Sequence, residues 1–145
     1  MVFLFSGVVF FAKLSHGMGV LSINTVALKK NFEFKRIYKK GRSFVNPAIV
    51  VYILKNNKAA NRVGITTSRK VGNAVMRNRA RRVIREAYRQ LEDRLHSGFD
   101  IVFVARTKTC LLKEQDIFKA MNGIFISAKL LDAKTAKLTS NNISS

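Results

Sequence analysis

Residues 62–91, RVGITTSRKVGNAVMRNRARRVIREAYRQL, change period partway along, and that change sets the fold. From Arg62 to Ser68 the residues alternate. Val63, Ile65 and Thr67 face one way, and Arg62, Gly64, Thr66 and Ser68 the other, as on a strand with one apolar and one polar side. SRKVGNAV then reads as a loop opening a long helix, predicted over about Met76 to Leu95 and ended by Gly98. At about 100° per residue, Ala80, Val83, Ile84, Ala87, Tyr88, Leu91 and Leu95 share one arc, a core face. Asn78, Arg81, Arg82, Arg85 and Arg89 share a flank. Arg81, Arg85 and Arg89 are successive i, i+4 neighbours, a spacing at which like charges repel by a few tenths of a kcal/mol per pair.

Working outward, FDIVFVA (99–105) is a buried strand after the helix, which closes a β–α–β unit. Upstream, AIVVYILK (48–55) is a strand rich in β-branched residues. NNKAAN is turn chemistry. Ser43 to Asn46 is a short extended piece broken by Pro47. Asn31 is placed to cap a helix that runs to Lys39 or Lys40 and closes at Gly41, with Phe34, Ile37 and Tyr38 on its stripe. Glu114 and Asp116 suit the first turn of a last helix, to about Leu131. From Asp132 the chain is Lys/Thr/Ser/Asn-rich and is expected to fray. No internal repeat is visible. The order describes a small α+β sandwich of one domain, residues 18–131, with a polar tail at 132–145.

Composition narrows the function. The chain has 145 residues, 48% of them hydrophobic, and 27 Lys plus Arg against 8 Asp plus Glu give a formal charge of +19. It has a core to build, and its charge seeks a polyanion: nucleic acid first, an anionic membrane surface second. Cys110 is the only cysteine, and neither it nor His16 and His96 falls in a metal-binding spacing. Most of the eight acids read as helix-end or solvated charges, with no obvious acid/base pair, and no nucleophile triad or phosphate-cradling Gly loop appears. Catalysis by protein side chains is not expected. MVFLFSGVVFFAKLSHG (1–17) is apolar before its first charge, Lys13. That order does not suit a signal peptide, and the run is short for a span. Three readings stay open for it: a start extended beyond Met18, a peripheral extension, or an anchor.

Solubility alone would interleave Glu and Lys on the long helix. Its flank is instead nearly all Arg, whose planar fork matches phosphate. Arg69, Lys70 and Arg77 cluster around the Gly72–Asn73 helix start, itself suited to anions. DNA is disfavoured, because a strand rather than a first helix precedes this one. The polar side of strand 62–68, with Phe34, Tyr38 and Tyr52 near it, suits a single strand whose bases stack. From pattern alone, plain core packing is the better-supported reading of those three rings.

KVGNAVMRNRARRVIRE resembles the signature of the bacterial ribonuclease P protein subunit, with Arg77-Asn78-Arg79 as its Arg-Asn-Arg core. LKKNFEFKRIYKKGRSF, AIVVY, RVGITTSRK and GFDIVFVAR resemble the family's neighbouring segments in the same order, over about Leu28 to Leu131. The resemblance implies a mixed four-stranded sheet with three helices and a left-handed β–α–β crossover, against the usual hand. It implies a cleft for the 5′ leader of precursor tRNA at Phe34, Tyr38 and Tyr52, to which Thr66 and Ser68 join from the polar side of the strand. It also implies RNA binding by Arg69, Lys70, Asn73, Arg77, Asn78, Arg79, Arg82 and Arg85; Arg81 and Arg89 join from the helical arc. The implied role is that of an accessory subunit, 1:1 with a catalytic RNA that carries the magnesium and cleaves the tRNA 5′ leader in the cytoplasm, with no cofactor held by the protein. A general RNA-binding or ribosome-associated protein is the alternative.

Overall fold

A computed structural model describes residues 8–9 and 25–134. The elements in chain order are β1 (Val8–Val9), β2 (Thr25–Ala27), α1 (Asn31–Lys40), β3 (Arg42–Val45), β4 (Ile49–Lys55), β5 (Asn61–Thr66), α2 (Ala74–Leu91), β6 (Phe99–Ala105) and α3 (Glu114–Ser127). One mixed sheet runs β5-β6-β4-β3, with β5 and β6 parallel and the other neighbours antiparallel. The parallel pair, direct neighbours in the sheet, is joined through α2, the β–α–β unit read from the sequence. The sheet has six strands rather than four. Parallel β2 and antiparallel β1 lie end to end on the outer edge of β5, against Asn61–Val63 and Ile65–Thr66. At three and two residues, neither is long enough to show a period-2 pattern. The rest of the apolar extension, the question of its start, and most of the polar tail lie outside the described residues.

The sheet has a different core on each side. On one, Val63, Ile65, Val51, Ile53, Ile101 and Phe103 meet the α2 arc of Ala80, Val83, Ile84, Ala87, Tyr88 and Leu91, with Ile117, Met121 and Phe125 of α3. Tyr88, Phe103 and Phe125 contact one another edge-on at 5.6–6.5 Å, the arrangement that aromatic quadrupoles favour. Burying each such side chain contributes about 1.5–3 kcal/mol. The buried Tyr88 hydroxyl meets Thr25 Oγ1 at 3.2 Å and so ties β2 to α2.

On the other side α1 lays Phe34 and Ile37 over Val102 and Leu28. Gly64 makes that approach possible: a Cβ there would sit 2.4 Å from the Phe34 ring. At the far end of the same face lies a charge cluster absent from the sequence reading. Asp100, wholly buried, accepts from Arg62 through both carboxylate oxygens (2.6 and 2.7 Å), from Arg36 (2.8 Å) and from Asn56 (2.8 Å). Arg62 also pairs with Glu33. The expectation that most of the acids are solvated or helix-end charges has an exception in Asp100, and Glu92, at the end of α2, is buried too. An apolar strand can carry a carboxylate inward where two guanidiniums and an amide satisfy it.

Helix ends shift with their caps. α1 begins at Asn31 with Lys30 as its N-cap residue, and Glu33 accepts from the Lys29 and Lys30 backbone N–H groups. α2 begins two residues earlier than expected, because Asn73 Oδ1 caps Met76 N at 3.0 Å. It ends at Leu91 in a tighter turn, Glu92–Arg94. α3 stops at Ser127 rather than near Leu131, and Lys129 turns into the left-handed region at φ 61°.

Candidate RNA interface

Two surfaces meet at the carboxyl end of β5. The first lies beside α1. Pairing registers align Thr66, Val104, Val50 and Val45 in one row across four strands, and Gly64, Val102, Tyr52 and Ser43 in the next. α1 covers the second row only as far as Tyr52. The first row forms an open floor, with Val50 and Val104 half-buried and Val45 exposed. Tyr38 and Tyr52 stand at its edge with ring centroids 5.0 Å apart and planes at 84°. The Tyr38 hydroxyl donates to Thr66 Oγ1 at 3.2 Å. Burial pushes the Tyr38 phenol pKa up, and the Thr66 bond opposes that only in part. Tyr38 is 39% exposed and so presents a fixed ring to solvent.

Phe34 does not join them. It is 3% exposed and packs over Gly64, so its ring belongs to the core and supports the floor from beneath α1. For this residue plain packing wins over stacking. Thr66 is buried as well, with its hydroxyl also 3.4 Å from the Phe103 carbonyl, while Ser68 is half-exposed.

The second surface is the start and flank of α2. Gly72, at φ 140°, turns the chain in a conformation that L side chains resist, and Met76 packs against it. The Asn73 side chain is spent on capping the helix. Arg69 and Lys70 are exposed just before it. The first turn of α2 contains no acid, yet Arg77 sits beside the positive end of its dipole, an arrangement that costs stability until an anion arrives. Arg82 and Asn78 are exposed, and Arg85 and Arg89 partly so. Burial lowers the Arg85 pKa; Glu86 opposes this, and Arg89 and Arg82 add to it.

Two arginines of the set have partners within the protein. Arg79 Nε donates to the Cys110 carbonyl at 2.8 Å, on the side of the Thr109–Leu111 turn. Arg81 donates to Asn78 Oδ1 and to Thr67 Oγ1, both at 2.7 Å. Arg81 is the joint between the two surfaces: Thr66 faces α1 and receives Tyr38, and Thr67, one residue on, faces α2 and receives Arg81. Sequence reasoning missed Thr67, although a hydroxyl on the Val63–Ile65 face was the available signal, since a buried hydroxyl needs a partner. Arg106 and Lys108 are two further exposed cations. They lie in the turn after β6, fixed where buried Thr109 Oγ1 accepts from Arg106 N (2.7 Å) and donates to the Ala48 carbonyl (2.6 Å). His96 is exposed and 3.7 Å from Asp132, an ordinary surface contact.

Among the described residues no group of three or more His, Cys, Asp or Glu is placed to hold a metal. No helix there is long and apolar enough to cross a membrane. The two surfaces set a pair of tyrosine rings and a run of guanidiniums side by side.

Relatives with this layout are known. The ribonuclease P family model matches residues 24–129. The chain is 46% identical over 101 residues to the ribonuclease P protein component of Clostridioides difficile, covering 69% of this chain and 89% of that one. It is similar in structure to the RNase P protein of Staphylococcus aureus (TM-score 0.64, 37% identity, 73% of this chain and 97% of that one). The RNase P protein of Thermotoga maritima is also similar (TM-score 0.61, 30% identity, 68% and 93%). The chain belongs to the bacterial ribonuclease P protein family, the accessory protein subunits of that RNA-based endoribonuclease.

Proposed function

We propose that this ribonuclease P protein holds the 5′ leader of precursor tRNA across the open row beside Tyr38 and Tyr52, while the α2 flank holds the RNA subunit. The observation that carries this reading is the pair Thr66–Thr67. Strand alternation sends one hydroxyl to the aromatic cleft and the next to the arginine helix, so the leader and the catalytic RNA meet on either side of one strand end. Rings on a sheet face stack on unpaired bases whatever their sequence. Arg82, Arg85 and Arg89, with Arg69, Lys70 and Arg77 at the helix start, screen the phosphates that would otherwise repel each other as substrate approaches ribozyme. Asn78 and Arg81 shape the border between the two.

Phosphodiester cleavage then belongs to the RNA subunit and its magnesium, in a 1:1 complex, and a cytoplasmic location follows from those partners. In this arrangement the protein raises substrate affinity and holds geometry. The test is binding of precursor and mature tRNA to the reconstituted holoenzyme. Tyr38→Ala combined with Tyr52→Ala is expected to weaken precursor tRNA by tenfold or more, with stacking at about 1–3 kcal/mol per base, and to leave mature tRNA little changed. Equal loss for both would instead favour a general RNA-binding protein.

A further inference from the structure

α1 carries a surface that neither the cleft nor the arginine flank uses. Phe32 is 62% exposed and, at about 100° per residue, lies roughly 140–160° round the helix from the core residues Phe34 and Ile37. The Lys30 ammonium sits 5.7 Å from its ring centroid. Stepping round α1 from Tyr38, Lys35 lies about 60° on, Lys39 about 100° and Phe32 about 120°. Lys35 and Lys39 are exposed. The one acid of this helix, Glu33, is turned away to Arg62. The outer side of α1 is thus a cationic stripe with one ring on it, and it is continuous with the cleft edge at Tyr38.

We infer that this stripe is a second binding surface for single-stranded RNA, which takes the part of a leader that has passed beyond the cleft. Phe32 provides a face for a base, and Lys30, Lys35 and Lys39 provide charge for the flanking phosphates. Rings bordered by cations are the common platform for unpaired strands, and they tolerate any base. A membrane surface fits less well, because a ten-residue helix with one outward ring lacks the wide apolar face that interfacial helices bury. The inference rests on the cleft reading above and extends it.

The experiment uses holoenzyme and fluorescent precursor tRNAs whose leaders lengthen one nucleotide at a time. For leaders that extend past the cleft, Phe32→Ser is expected to weaken binding at least about fivefold, the lower end for base–aromatic stacking. Phe32→Tyr should restore it. Lys35→Gln with Lys39→Gln should make the salt dependence shallower by roughly 0.7 per lysine. The step should appear only once the leader exceeds a threshold length. A Phe32→Ser effect that is absent at every length, or the same at every length, overturns the inference. So does an effect seen on binding to anionic vesicles in place of RNA. Tyr38→Ala with Tyr52→Ala runs alongside: if that pair weakens short leaders while Phe32→Ser weakens none, the stripe fails and the cleft stands. If the tyrosine pair weakens none, the cleft reading itself falls.

Discussion

Arginine is used in opposite ways at the two ends of this molecule. At the Asp100 end, Arg62 and Arg36 share a buried carboxylate, and Arg62 takes Glu33 as well. Charge there is matched inside the protein and fastens α1 to the strands. On α2, none of Arg77, Arg79, Arg81, Arg82, Arg85 and Arg89 forms an ion pair with a described carboxylate. Net charge alone would not separate the two groups. What separates them is whether an acid has been brought in to meet the guanidinium. Where it has, the arginine holds the fold; on α2, Arg79 and Arg81 bond to neutral oxygens within the chain, and for Arg82, Arg85 and Arg89 we propose a partner outside it.

The widest test of that contrast is Asp100→Ala. It leaves Arg62 held by Glu33 alone and removes the centre of the cluster, and breaking a buried pair typically costs about 3–5 kcal/mol. Urea unfolding should show a loss of this size, and a loss under about 1 kcal/mol would mean that the cluster is ornamental. Its pH dependence has a definite sign. Burial by itself would raise the Asp100 carboxyl, but the Arg62 fork, the Asn56 amide and Arg36 outweigh it and hold the pKa below the ordinary value. Glu33 is likewise lowered: burial opposes, while the Lys30 and Lys29 N–H groups and Arg62 prevail. A carboxylate depressed in the folded state binds its proton more weakly than in the unfolded chain. The stability it contributes is therefore present above the unfolded values, about 3.9–4.3, and is lost as pH falls through the folded ones. Acid titration of wild type should show that loss, and Asp100→Ala should flatten it.

A smaller effect is expected at Gly64. A methyl group there would stand 2.4 and 2.6 Å from two atoms of the Phe34 ring, so Gly64→Ala forces the ring or α1 outward. Overpacking of this kind costs about 1–3 kcal/mol. Because α1 also carries Tyr38, the same change should weaken leader binding while the α2 flank keeps its affinity for the RNA subunit. Loss of both together would show that the two faces are less separate than their cores.

The elements most legible in sequence were those with a long period. Eighteen residues of α2 repeat the apolar spacing often enough to name Ala80, Val83, Ile84, Ala87, Tyr88 and Leu91 as core, and all six are buried. Strand alternation likewise placed Gly64 and Thr66 on one side of β5 and Val63 and Ile65 on the other. What could not be read depends on partners distant in the chain. Asp100 looks like a stray charge in FDIVFVA until Arg62 and Arg36, 38 and 64 residues away, are folded against it. Phe34 and Tyr38 share a helical stripe and looked equivalent. The gap left by Gly64 draws the first into the core, and Thr66 holds the second at the surface. β1 and β2 are too short for any pattern and exist only because β5 offers an edge.

The smallest effect on folding is expected at Arg82 and Arg85, and there the contrast is sharpest. Neither side chain forms an ion pair with a described carboxylate, and only Arg85 feels a nearby acid, Glu86, so Arg82→Ala or Arg85→Ala should change stability by no more than about 0.5 kcal/mol. Relief of repulsion from Arg89 and between the two offsets part of any loss. Affinity for the RNA subunit should nevertheless fall, because each arginine that neutralises a phosphate releases condensed counterions. Measured over a series of salt concentrations, the slope of log affinity against log salt should become shallower by roughly 0.9 for each phosphate no longer neutralised on duplex RNA, if the B-DNA coefficient carries over. Lysine at either position retains the charge and should recover most of the slope, but less of the affinity if the fork grips phosphate through two bonds. An unchanged slope would mean that these arginines do not face phosphate, and the division between paired and unpaired arginine would then say nothing about where RNA binds.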